Sequence, residues 1–371
     1  MRRVGLVVAL VAGLMLGACL RPAEERAVRD AKVGLAEGGG LSLVVDDGLA
    51  SVRGVDDGQV VLWGNAPVFT ARATLDAGAR ADWLLTVRNA MPDAVLVAEL
   101  EEGGEVLAVE PVAQVVPTVK MWRVALRPGA VARLRVAPPG WDSSAPFRFA
   151  ALADVQEALP RVGDIYARLM RDESLRFILF AGDLTETGTR EQLMEFQERL
   201  EAGSRIPLYA TLGNHETFTK DAREYTSLVG RGSQSFVFQG VRFTVVDSSN
   251  GTLDPIVDEL LDGWLEASRQ GTHVVAMHVP PQDPVGLRGG GFANRGESAA
   301  LVGKLARAGV DLTLYGHIHS YYSFTNAGIP AFISGGGGAI PETFDGVGRH
   351  YLAVDVSADE GLREVSLVRV D

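Results

Sequence analysis

Between Leu41 and Gly140 the apolar positions fall in short runs, many alternating with polar ones: LSLVV, QVVLW, FTARATL, DWLLTVRN, AVLVAEL, MWRVAL and VARLRVA. Gly, Asp, Asn or Pro separates each run from the next. A period of two with turn residues between the runs predicts strands buried on one face. Residues 41–140 therefore read as a small all-β domain, a sandwich of about seven strands. The stretch APPGWDSSAP then reads as a hinge into a second domain at 146–371.

From Phe147 the pattern changes. FRFAALA, RFILFAGD, IPLYATLG, HVVAMH and VDLTLYG are continuous apolar runs. Between them lie segments of helical period, such as REQLMEFQERL, which puts Leu193, Phe196 and Leu200 on one face. Strands alternating with helices predict a largely parallel sheet buried on both faces. In such sheets the working residues gather at the carboxyl ends of the strands.

Those ends carry the candidate chemistry. In chain order they deliver Asp154 and Gln156, then Asp183, then Asn214, His215 and Glu216, then His278, then His317 and His319. Four of the six histidines in the chain sit at these exits. Mixed carboxylate, amide and imidazole donors suit borderline divalent metals, and the lack of thiolates argues against a structural zinc finger. The glycines before Asp183, Asn214 and His317 predict sharp turns and close backbone approach.

On these residues the chain resembles the calcineurin-like metallophosphoesterase family. That family's pattern runs DxH, GDxx, GNH(E/D), a lone His and GHxH, each after a strand. The resemblance covers Phe147 to the C-terminus. It implies a four-layer α/β/β/α sandwich, here preceded by the small β-sandwich-like domain. It also implies hydrolysis of a small-molecule phosphate ester by a dinuclear metal centre with a metal-bound hydroxide nucleophile. The cofactors implied are two divalent ions: Mn, Fe, Zn or Mg. Asp183 would bridge them. Asp154, His319 and Gln156 would serve one ion, and Asn214, His278 and His317 the other. His215 would act on the substrate as general acid or transition-state stabiliser, with Glu216 supporting it. Glu186 stands three residues after Asp183, where purple acid phosphatases carry a metal-binding Tyr, so a purple enzyme is not expected. A non-catalytic envelope binding protein that keeps the scaffold is the alternative reading.

Weaker candidates lie outside these motifs. Arg288 and Arg295, in the glycine-rich loop after His278, can reach a phosphate or a substrate tail. His350 can approach the pocket from behind. His273 reads as a packing histidine, and Asp247 as a turn residue.

The charge and the N-terminus complete the picture. The formal charge is −12, and an acidic balance argues against a nucleic-acid groove. Arg2 and Arg3 precede an apolar run from Val4 to Leu16, too short for a membrane span. The run ends in Leu16-Gly17-Ala18-Cys19, and Cys19 is the only cysteine. This resembles the lipobox of bacterial lipoproteins. It implies a signal peptide at 1–18, a lipidated Cys19 and export to the bacterial cell envelope with a membrane anchor. The alternative is ordinary cleavage after Ala18, leaving a free thiol. The polar segment at 19–40, closing in glycines, reads as the anchor and a linker.

Gln156 stands where the resembled family usually has His. An amide oxygen is a neutral, harder donor than imidazole, whether it binds metal directly or orders a water beside it. Gln156→His is expected to raise zinc affinity relative to Mn and Mg, measured by competitive metal titration. An unchanged preference would count against direct ligation.

Overall fold

The computed structural model describes residues 22–286 and 289–370, so the leader and Cys19 lie outside the described residues. The described residues start with helix α1 (Pro22–Asp30) and β1 (Leu35–Gly38). Then come β2 (Leu41–Val45), β3 (Ala50–Asp56), β4 (Gln59–Gly64), β5 (Phe69–Leu75) and β6 (Asp82–Arg88). β7 (Val95–Leu100), β8 (Val109–Val112), β9 (Lys120–Ala125) and β10 (Val131–Ala137) complete this region. Its two sheets run β1-β2-β5-β10-β7 and β3-β4-β6-β9-β8. Alternation drives the packing. In β5, Phe69, Ala71, Ala73 and Leu75 are buried while Arg72 and Thr74 are exposed.

Ten strands form between Leu35 and Ala137, where the sequence predicted about seven within 41–140. The additional ones are β1, β3 and β8, and each is a sheet edge. An edge strand is paired on one side only and is half solvated, so its sequence carries little hydrophobic signal.

The expected linker at 19–40 needs a larger correction, because residues 22–40 are helix and strand. The polar composition of α1 conceals one buried cation. Arg26, 2% exposed, donates from Nε to Asp247 at 2.8 Å, from a terminal nitrogen to Asp221 at 2.6 Å, and to Ser249 Oγ at 3.0 Å. Asp30 on the same helix accepts the Gly232 and Ser233 amides at 2.8 and 3.2 Å. The helix is therefore fixed to the C-terminal α/β region.

That region holds β11 (Phe147–Leu152), α2 (Gly163–Leu169), β12 (Leu175–Ala181), α3 (Arg190–Gly203), β13 (Leu208–Thr211) and α4 (Arg223–Leu228). It continues with β14 (Gln234–Phe238), β15 (Val241–Val246), α5 (Pro255–Glu266), β16 (His273–Met277) and α6 (Arg295–Arg307). β17 (Leu312–Tyr315), β18 (Tyr321–Asn326), β19 (Ile329–Ser334), β20 (His350–Ser357) and β21 (Gly361–Arg369) close it. One sheet is ordered β13-β12-β11-β20-β21, the other β14-β15-β16-β17-β19-β18. Strands β11, β12 and β13 are parallel, as are β15, β16, β17 and β19.

The two sheets pack face to face through aromatic rings. Phe177 stacks on Phe149 at 5.6 Å, and both meet Phe243 edge-on at 5.3 and 5.2 Å. Such pairs contribute ~0.5–1.5 kcal/mol each beyond area burial. Ile165, Leu193, Phe196 and Leu200 from α2 and α3 cover the outer face of one sheet. Val257, Leu261, Leu301 and Leu305 from α5 and α6 cover the other. The layers are helix, sheet, sheet, helix, as the sequence led us to expect.

The β region is joined to this sandwich by specific polar contacts. The buried Asn89 amide takes the N–H of Leu208 at 2.9 Å and donates to its carbonyl at 2.7 Å, which caps the edge strand β13. Arg88 makes a two-pronged pair with Glu201 at 2.7 and 2.6 Å.

The Arg26 latch yields a stability prediction. Arg26→Met strands the Asp247 carboxylate in the interior and is expected to cost about 3–5 kcal/mol. Adding Asp247→Asn removes the orphaned charge and should recover much of that loss. Urea unfolding of the two variants measures both effects.

Candidate metal centre

The carboxyl ends of β11, β12 and β13 meet those of β16 and β17, and the predicted side chains converge there. Asp154, Asp183 and His278 are fully buried, and their donor atoms lie within 4.8 Å of one another. Asn214 Oδ1 stands 2.9 Å from His278 Nε2 and 3.0 Å from His317 Nδ1. His319 Nε2 stands 3.6 Å from Asp154 Oδ1 and 3.1 Å from the Gln156 amide nitrogen. Asp183 Oδ2 touches both groups, at 2.7 Å from Gln156 and 3.2 Å from His278 Nε2.

Local backbone geometry sets these positions. Four of the ten described non-glycine residues with positive φ belong to the cluster: Asp154 (63°), Gln156 (47°), Asp183 (60°) and His317 (67°). The left-handed region costs an L-residue roughly 1–2 kcal/mol. Such strain persists only where the surroundings over-determine it. Gly213 and Gly316 permit the crowding. A Cβ on Gly213 would lie 2.0 Å from Asp183 Oδ1, and one on Gly316 would lie 2.8 Å from Asp154 Oδ2.

Backbone carbonyls fix the imidazoles. His278 Nδ1 donates to Ala181 O at 2.8 Å, and His319 Nδ1 donates to Ile340 O at 2.7 Å. In the neutral tautomer each Nε2 lone pair then faces inward, that of His278 toward the Asn214 and Asp183 oxygens and that of His319 toward Asp154 and the Gln156 amide nitrogen. His215 follows the same rule. Its Nδ1 donates to Glu186 O at 2.7 Å, its Nε2 lies 3.9 Å from Asp183 Oδ2, and its ring packs on Phe218 at 4.7 Å.

The electrostatics call for a cation. Asp154, Asp183 and Glu216 are each fully buried, and among the described residues none is paired with an Arg or Lys. Burial pushes the Asp154 carboxyl well up, and the Asp183 charge adds to that. Burial likewise lifts Glu216 to about 7, with Asp183 contributing. Burial also acts to raise Asp183, but the adjacent His278 and the His215 amide outweigh it and hold that carboxyl below its usual range. For His278, burial alone would lower the value, yet the facing carboxylates lift it to about 9. A proton on His278 is one way to separate these oxygens. A divalent ion among the same donors is the other, and the donor set of carboxylate, amide and imidazole fits it.

The remaining candidates divide. Glu216 does not support the His215 ring as expected. Its carboxylate accepts the amides of Asp183, Thr185 and Gly213 at 3.0, 3.0 and 2.8 Å, clamping two strand exits together. His350 is buried beneath the glycine-rich turn, with Nδ1 on Gly348 O at 2.8 Å. It reaches the cluster only indirectly, because that turn bonds Ala153 O and Asp154 O through the Gly337 and Ala339 amides. Arg295 is exposed at the first residue of α6 and none of its contacts joins the cluster, whereas Arg288 lies outside the described residues. His273 is a packing residue, held between Thr244 Oγ1 at 2.8 Å and Ser268 Oγ at 2.6 Å. Asp247 makes the expected turn, accepting the Ser249 amide at 3.0 Å, and also the Arg26 pair that its sequence did not reveal.

Comparison with known proteins agrees with this geometry. A family model for calcineurin-like phosphoesterases matches residues 147–321. No curated protein matches the chain. Solved structures to which part of the chain is similar include GAP50, the anchor in the inner membrane complex of Plasmodium. It is 14% identical at a TM-score of 0.43, over 61% of this chain and 89% of that one. A dimetal phosphatase from Danio rerio is 14% identical at a TM-score of 0.44, over 61% of this chain and 99% of that one. A protein of Thermus thermophilus, TT1561, is 12% identical at a TM-score of 0.41, over 61% of this chain and 100% of that one. The matched segment, residues 147–321, is the one that carries all five motif-bearing strand exits, and what it is similar to is the calcineurin-like phosphoesterases.

Proposed function

We propose that this chain hydrolyses a phosphate ester with two divalent ions. One would be held by Asp154, Gln156 and His319, the other by Asn214, His278 and His317, with Asp183 shared between them. The observation that carries the reading is the position of Asp183 Oδ2, in contact with both donor groups. The match to the calcineurin-like phosphoesterase model and the buried Asp154–Asp183–His278 triad support metal-dependent phosphoester hydrolysis in general.

Cations bound there supply neutralising charge for the phosphoryl oxygens and acidify a water at neutral pH. The protein's own groups do the rest. The Asp183 carboxylate accepts the His215 amide at 3.0 Å, a bond that favours its ionised form. Glu216 holds the Asp183 and Gly213 backbones in register, so two strand exits cannot drift apart. The bond from His215 Nδ1 to Glu186 O leaves Nε2 directed at the cluster. From there a protonated His215 can donate to the departing ester oxygen. The Gln156 amide can be turned over about its last bond, which puts its oxygen where the nitrogen now faces Asp183. We also propose that Cys19 is lipidated and holds the enzyme in the bacterial envelope.

Two substitutions test the assignment. Asp183→Asn is expected to lose nearly all turnover together with bound metal, read by elemental analysis and by hydrolysis of an ester panel after loading with Mn, Fe, Zn or Mg. Full rate with both ions retained would overturn it. His215→Asn should keep its metal content and lose about 10²–10⁴-fold in kcat, the usual worth of a positioned acid.

A further inference from the structure

Helix α1, fixed to the α/β region by Arg26, closes one side of a cavity of about 340 Å³, and β3 and α4 supply the other walls. The charged residues of its lining are Arg29, Lys32 and Arg223, with no carboxylate among them. Cations gathered at one opening repel each other, and an anion seated between them relieves that repulsion.

The partners of these cations answer only part of their charge. Arg29 gives a terminal nitrogen to the Asp221 carbonyl and to its carboxylate, the latter at 3.3 Å, while its Nε is buried with no acceptor. Asp221 is already shared with Arg26. Arg223 is 61% exposed and stands 3.8 Å from Glu25, which is also 3.9 Å from Arg29. Lys32 is exposed and, among the described residues, makes no ion pair or side-chain hydrogen bond. Apolar side chains stand beside these charges. Leu35 lines the same cavity at 53% exposure, and Phe218, 61% exposed, lies three residues before Asp221. Cations interleaved with uncovered apolar side chains suit a surface that lies in a membrane interface.

Chain length indicates which anion is at hand. Cys19 stands three residues before Pro22. Three extended residues span at most roughly 11 Å, and the helix from Pro22 to Arg29 rises roughly 10 Å. Cys19 therefore lies within about 21 Å of Arg29, so a bilayer that holds Cys19 brings its own phosphates to the cavity.

We propose that this cavity receives the phosphate of an anionic phospholipid headgroup, which lays α1 and the loop at 218–223 on the membrane. The proposal rests on the lipid-anchor reading above and not on the hydrolytic one. His215 precedes the same loop, so docking would hold the metal centre near that surface.

The test uses residues 19–371, which include every described residue, with Cys19→Ser so that no acyl chain contributes. Sedimentation with vesicles of phosphatidylcholine, alone or mixed equally with phosphatidylglycerol, measures affinity. The mixed vesicles are expected to bind the chain and the neutral ones are not. Lys32→Ala should weaken that binding about fivefold, the equivalent of about 1 kcal/mol for one cation at an anionic surface. Adding Arg223→Ala should weaken it again by a similar factor. Arg133→Ala, which removes an exposed cation on β10, should change nothing. Equal binding to both vesicles, or an equal loss in Arg133→Ala, overturns the proposal. So does Lys32-dependent binding of inorganic phosphate, read by calorimetry, in a chain whose vesicle binding ignores Lys32→Ala. The mass of the native protein checks the anchor separately. Acyl chains on Cys19 together with Lys32-independent vesicle binding would keep the anchor and remove the docking. An unmodified Cys19 would remove the anchor and, with it, the lipid as occupant.

Discussion

Three buried carboxylates that no described lysine or arginine answers organise this protein. Asp154, Asp183 and Glu216 lie where the ends of two sheets meet, each with no exposed surface. An uncompensated buried charge is among the most costly features a fold can carry. Glu216 meets its cost with three backbone amides. Asp154 takes the His317 amide, at 3.0 Å, and a distant imidazole. The unmet demand falls on the space between Asp154, Asp183 and His278, and cation binding there would be coupled to stability.

The surrounding sandwich holds those groups together. Parallel strands deliver five exits to one end, and the phenyl rings between the sheets fix the separation of the two halves. The left-handed residues at Asp154, Asp183 and His317 store strain that a looser core would release. Helix α1 reaches the same end through one loop. Arg26 binds Asp221, a few residues after His215 and Phe218, and Asp247 at the exit of β15. Helix α1 is thereby connected to the loop that carries the proposed acid.

Much of this was legible in the sequence because its chemistry restricts residue type. An imidazole or carboxylate that must face a cation at a strand exit has few substitutes, so Asp154, Asp183, Asn214, His278, His317 and His319 stood out, and they do converge. Gly213 and Gly316 were legible for a steric reason. What escaped was of two kinds. Strands β1, β3 and β8 are edges with weak pattern, and α1 looked like a linker because one buried Arg26, not an apolar stripe, fixes it. The orienting partners of the imidazoles escaped because they are the carbonyls of Ala181, Glu186 and Ile340, and any residue supplies a carbonyl. Glu216 was noticed, but its role depends on which amides it reaches, which spacing along the chain does not encode.

The same charge distribution constrains what the site can accept. On the proposed reading, two divalent ions against the carboxylates of Asp154, Asp183 and Glu216 would leave a surplus of positive charge, because the amide and imidazole donors add none. An anionic phosphoryl group would then be drawn to the cluster before any other part of the ester makes contact. The field would set which end of the ester enters, and the surrounding loops would set which alcohol it carries.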